Sequence, residues 1–333
     1  MISLSLPFMK IRRCLSSFFP LTIAIVSMLL VGLTIAFEAP TKHELEKAIG
    51  PTSSLSPALK RAFSADASFA PIPEPGTSDW LSTQEETGQT YAEFLQFGAN
   101  RPGANGRTRI YIQPIGDFPK DSLSLDILKE YMEAFYYPMP VELAPNKFIS
   151  DEDNIRSRNH MGASQLHAID LLDYLERTLA KDAYIVMGVT MTDLYPDDSW
   201  NFIFGMARFK QRVGVFSFAR YGDDPIVGLG RALKILSHET GHAFGIKHCT
   251  HYHCIMNGSN GMNETDRSPY HLCPVCLRKI HWGLKFDPVK RYMRIHDFFK
   301  KHQMSEPQQW YADRIKVVAD KSLPARDSLD KSD

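Results

Sequence analysis

The chain is predicted to fold as a mixed α+β protein, a mixed sheet packed with helices. Two observations carry that prediction. From Arg109 onward, stretches with strand-like and helix-like patterns alternate. Among them, "AYIVMGVTMTDL" (183–194) is a near-continuous apolar run of the kind a buried central strand requires. With 333 residues, 44% of them apolar, the chain can bury a substantial core.

The elements follow in order. Lys10, Arg12 and Arg13 precede an uncharged run from Cys14 to Phe37, closed by Glu38. As a helix this run would span about 36 Å, enough for a hydrocarbon core of about 30 Å. The cationic flank lies on its N-terminal side. Residues 1–37 are therefore expected to anchor a single-span protein at the membrane through residues 14–37, its body facing a lumen or the outside. A cleaved signal peptide or an acid-free presequence, leaving a cytosolic or organellar protein, are the alternatives. Residues 38–106 are interrupted by prolines at 40, 51, 57, 71, 73 and 75 and are thin in regular pattern. Phe63, Phe69, Trp80, Tyr91, Phe94 and Phe97 are too many aromatics for a linker, so part of this segment should pack onto the body.

Residues 107–305 form the main domain. "RIYIQPIG" (109–116) reads as a strand, and "DSLSLDILKEYMEAFYY" (121–137) as a helix stopped before Pro138. "MPVELA" (139–144) is a short strand and "ASQLHAIDLLDYLERTLA" (163–180) a second amphipathic helix. After the apolar run at 183–194, "NFIFGMARF" (201–209) and "RVGVFSFARY" (212–221) make a strand pair. "IVGLGRALKILSHETGHAFGI" (226–246) is the third long helix, placed near the centre of the domain. The charged tail, 306–333, reads as a solvated helix and a disordered end.

That third helix carries "HETGHAFGIKHC" (238–249). Positions i and i+4 share a helix face, so His238 and His242 can present two imidazoles to one ion. Glu239 stands beside them, able to orient and deprotonate a metal-bound water. Such an HExxH arises by chance in roughly one chain in fifty of this composition, and the added Gly245 and His248 make chance far rarer. Gly245 can take a positive φ, ending the helix and returning His248 as a third ligand. Three histidines and one water make the open tetrahedral set of a catalytic zinc.

Four of the five cysteines, Cys249, Cys254, Cys273 and Cys276, fall close behind, as C-x4-C and C-x2-C; Cys14 lies apart. Four thiolates would close a tetrahedral shell around a structural zinc, and two disulfides are the alternative. Tyr221, Tyr252 and Tyr270 are candidate oxyanion stabilisers with nothing to separate them. His251 and His253 read as loop residues, and the sequons at Asn257 and Asn263 lie in a segment the cysteines should fold tightly. Lys+Arg and Asp+Glu balance at 38 each, so no basic face recommends a nucleic-acid partner.

At these residues the sequence resembles the archaemetzincins, zinc metallopeptidases of the metzincin clan. Their signature HExxHxxGxxHCx4CxM…CxxCxxK is matched from His238 through Lys279. "DLYPDDSWNFIFG", "GVFSFARYGDD" and "TSDWL" are also similar to eukaryotic members. The resemblance implies a metzincin-like catalytic domain: a twisted mixed sheet, an HExxH active-site helix, a Met-turn at Met256 and a zinc-stabilised C-terminal subdomain. It also implies two zinc ions per chain. His238, His242 and His248 would hold the catalytic one, Cys249, Cys254, Cys273 and Cys276 the structural one, with Glu239 as general base. The implied function is peptide-bond hydrolysis, with the family's aminopeptidase action on short peptides as its narrower form; a non-catalytic zinc-binding module is the alternative, and a monomer is favoured over an oligomer that the sequence does not specify.

Overall fold

The computed structural model describes residues 37–119 and 123–320. The proline-broken N-terminal segment forms α1 (Lys42–Ile49), α2 (Pro57–Ala62), α3 (Trp80–Thr83) and α4 (Tyr91–Phe97). Capping boxes at Thr41 and Thr90 open α1 and α4, satisfying helix N–H groups that short helices cannot satisfy themselves. The order then runs β1 (Arg109–Ile115), α5 (Leu125–Phe135), β2 (Val141–Leu143), β3 (Ser157–His160), β4 (Ala163–His167) and α6 (Ala168–Arg177). Next come β5 (Ala183–Thr190), β6 (Asp193–Tyr195), β7 (Gly205–Arg208), β8 (Val213–Ser217) and α7 (Pro225–Ala243). The chain closes with α8 (Met262–Arg267), α9 (Pro274–Leu284), α10 (Pro288–Lys301) and α11 (Ser305–Ala319).

Among these residues the main sheet has the order β2-β1-β5-β8-β7. Its strands are parallel except β7, which runs antiparallel to β8. The apolar run forms the central strand β5, buried along its whole length. Strand alternation sends Ile110, Ile112, Met187 and Phe216 to one face, toward α5, α7 and the C-terminal helices. Val186, Val213 and Val215 point to the other face, toward Leu171, Leu172 and Leu175 of α6. A second sheet, β3-β4-β6, extends beside it.

Three expectations are corrected. The helix expected over 163–180 begins only at Ala168, because Ala163–His167 is strand β4, paired antiparallel with β3 and parallel with β6. His167 is the helix N-cap, its side chain accepting from Asp170 N, so the amphipathic periodicity is real only beyond it. The C-terminal helix is not merely solvated: α11 buries Tyr311, Arg314 and Val318. The membrane-anchored, lumen- or outward-facing location is not supported either. Among the described residues no helix is long and apolar enough to cross a membrane. The longest of them, α7, carries Arg231, Lys234, His238, Glu239 and His242. The run that suggested an anchor lies, up to residue 36, outside the described residues.

Candidate metal centre and cleft

Helix α7 starts on an Asp224 cap with Pro225 at its first position and packs across β7 and β8. It ends at Ala243, and Gly245 at φ +90° turns the chain back. Two causes require glycine there: the left-handed φ, and Ala99, whose Cβ would lie 2.7 Å from any added Cβ. The turn delivers His248 to the face that already presents His238 and His242. Ligand atoms of the three histidines lie within 4.8 Å of one another.

Each ring is held from behind. His238 Nδ1 donates to Ile255 O at 2.9 Å, and His242 Nδ1 to Ile246 O at 2.7 Å. His248 Nδ1 donates to Glu86, 2.9 Å from one carboxylate oxygen and 3.1 Å from the other. With Nδ1 protonated, each neutral imidazole presents an unprotonated Nε2 inward. His238 Nε2 and His242 Nε2 then stand 2.9 Å apart, acceptor against acceptor. That is an unfavourable pair unless a cation or proton lies between them. Burial pushes His238 down to about 3, so a proton is a poor solution; a metal fits this donor set. Burial pushes the Glu239 carboxyl up to about 8. Its Oε1 sits against Gly205 on edge strand β7, where an added Cβ would lie 2.9 Å away.

The four expected cysteines converge as well, buried, free of disulfides and with sulfurs within 4.8 Å of one another. Cys249 Sγ and Cys273 Sγ are 3.6 Å apart, far beyond an S–S bond of about 2.05 Å. Hydrogen bonds from the other three thiols pull Cys249 well below its ordinary range, while burial pushes Cys254 and Cys273 well above theirs. Four buried sulfurs without a cation cannot all be thiolates, and a soft metal fits them. Met256 is fully buried under the histidines' helix, and a Cβ on Gly241 would lie 2.5 Å from its Sδ. Asn257 is consumed inside the loop, accepting from Cys254 N and donating to Cys249 O and Tyr252 O.

The histidines open into a cleft of about 690 Å³. Phe202, Phe204, Met206, Phe209 and Ile235 make its apolar walls, and Glu86 and Glu239 are the carboxylates among its lining residues. None of Tyr221, Tyr252 and Tyr270 lines it. Sequence reasoning gave no role to Glu86, Trp80 and Gln89; Trp80 entered only among aromatics too many for a linker and within "TSDWL".

Residues 143–282 match peptidase family M54. Archaemetzincin-2 of Pongo abelii is 35% identical over 67% of this chain and 72% of its own length. Archaemetzincin-1 of Mus musculus is 28% identical over 74% of this chain and 57% of its own. A solved structure of archaemetzincin from Methanopyrus kandleri is 30% identical, covering 54% of this chain and 98% of that one at a TM-score of 0.46. Given the M54 match and the extent of identity to archaemetzincin-2, this chain belongs to the archaemetzincin family of zinc metallopeptidases.

Proposed function

We propose that the chain hydrolyses peptide bonds as a metzincin-type enzyme, with zinc held by Nε2 of His238, His242 and His248 and with Glu239 as general base. The observation that carries this reading is the set of three Nδ1 hydrogen bonds, which leaves three unprotonated nitrogens facing one point. When bound, the zinc supplies Lewis acidity, polarising a carbonyl and acidifying water. Glu239 takes a proton from water in the cleft on its carboxylate oxygen and passes it to the leaving amine. Strand β7 is the sheet edge beside Glu239, and its backbone can pair with an extended peptide. The apolar walls exclude water and receive large apolar side chains of the substrate.

A second zinc on Cys249, Cys254, Cys273 and Cys276, structural in role, completes the proposal. Glu239→Gln should keep two zinc ions per chain by metal analysis and lose at least ~10² in turnover on a fluorogenic peptide panel. Wild-type turnover in that variant would remove Glu239 as the base, and a wild type inert on every peptide would favour the non-catalytic module. The family resemblance supports the narrower reading of aminopeptidase action on short peptides. A free peptide should then be cleaved and its N-acetylated form spared.

A further inference from the structure

The segment from Trp80 to Gln89 lies upstream of the 143–282 match, yet it touches the metal centre directly. His238 and His242 are held from behind by carbonyls of their own neighbourhood, Ile255 O and Ile246 O. His248 differs. Its Nδ1 is held by the Glu86 carboxylate, 162 residues away in sequence. The Trp80 ring stands edge-on to the His248 ring, centroids 5.1 Å apart at 81°. It occupies the space above Gly258, where any Cβ would run into it.

The other end of the segment braces the turn that delivers His248. Gln89 is 2% exposed, so its polar groups need partners, and both ends of its side-chain amide find one here. Its Oε1 accepts from Lys247 N at 3.2 Å and its Nε2 donates to Gly245 O at 3.3 Å. Its backbone oxygen accepts from Lys279 Nζ, on the same helix α9 that carries Cys276. One short stretch therefore joins the third histidine, the glycine turn before it and the helix behind the cysteine cluster.

We propose that this strap is a working part of the metal centre, with Glu86 the positioning residue of His248 and Gln89 the brace of its turn. The inference rests on the zinc-peptidase reading above. A carboxylate on Nδ1–H fixes the tautomer, keeps Nε2 unprotonated and makes it a stronger donor to a metal. Without Glu86 the ring can rotate or swap its proton, and only the histidine centre should suffer.

The test loads the full chain with Co2+ and separates the two centres spectroscopically. The histidine centre reports through visible d–d bands, the cysteine cluster through its sulfur charge-transfer band. Against a competing chelator, Glu86→Ala should weaken the histidine centre about 10–100-fold. Its d–d bands should change, while the sulfur band stays at its wild-type position and intensity. Glu86→Gln, of equal size and still able to accept, should fall between Ala and wild type, which a loss of packing would not produce. Gln89→Ala should act in the same direction. Wild-type affinity and d–d bands in both Glu86 variants would overturn the proposal. A wild-type chain with no nitrogen-ligated cobalt would instead overturn the peptidase reading on which it rests.

Discussion

Gly205 sets how closely edge strand β7 can approach Glu239. An added Cβ would lie 2.9 Å from Glu239 Oε1 and 2.9 Å from the Phe216 Cβ, so either the carboxylate or the strand must move. Displacing a catalytic group by a fraction of an ångström to an ångström can cost up to about a hundredfold in rate. Gly205→Ala should therefore lower kcat roughly tenfold to a hundredfold while zinc content stays at wild type. A variant with normal kcat would show that Glu239 has room to spare. Gly245 is the residue whose role was legible beforehand, because a glycine between the HExxH and its third histidine has a local task. Gly205 has none: it is one residue of a strand until α7 is packed on that strand.

At the scale of elements, the ring of His281 on α9 meets Phe63, the residue that caps the end of α2, edge-on at 5.5 Å and Phe286 at 5.0 Å. Burial, reinforced by the charges of Lys285 and Arg278, pushes His281 down to about 4. An unfolded histidine titrates near 6.5, so between these values the unfolded chain binds the extra proton. The stabilisation is thus complete above pH ~6.5 and is lost as the pH falls toward 4. His281→Phe keeps the ring packing without the titration. The drop in melting temperature between pH 7 and pH 4.5 should be smaller in this variant than in wild type, and an equal drop would assign acid sensitivity elsewhere. Strand β4 makes the complementary point about legibility. Its five residues extend a helical pattern in sequence, and only the ladders to β3 and β6 make them a strand.

At the scale of the molecule, the N-terminal segment is built into the body. Leu45, Ile49, Phe63, Phe69 and Phe94 belong to the same core as Met187 and Phe216 of the main sheet. Ile72 N donates to His251 O and His253 N to Ala70 O, pairing the segment with the cysteine loop. Arg314 of α11, its side chain 0% exposed, bonds the Asp66 carboxylate at 2.6 Å and the carbonyls of Arg61 and Ala62. Removing Asp66 would strand a buried guanidinium, at a cost of about 3–5 kcal/mol. Asp66→Ala should lower the denaturation midpoint accordingly, and a change below about 1 kcal/mol would mean that the carbonyls alone satisfy Arg314.

The two side-chain clusters proposed to hold metal were readable in the linear chain because their members lie close together and their spacing has a mechanical meaning. Four residues bring His242 over His238, a glycine turn returns His248, and paired cysteines bracket one short loop. The central strand was readable for a similar reason, since a strand buried on both faces must be apolar throughout. Glu86, Trp80, Gln89 and Gly205 carry no such mark. Their neighbours in space are up to 190 residues away in sequence, and a single carboxylate or glycine looks the same at the surface as in a site. Periodicity reports which side of an element is buried, not what is buried against it. The back of His248 and the wall beside Glu239 were therefore settled only when distant segments packed.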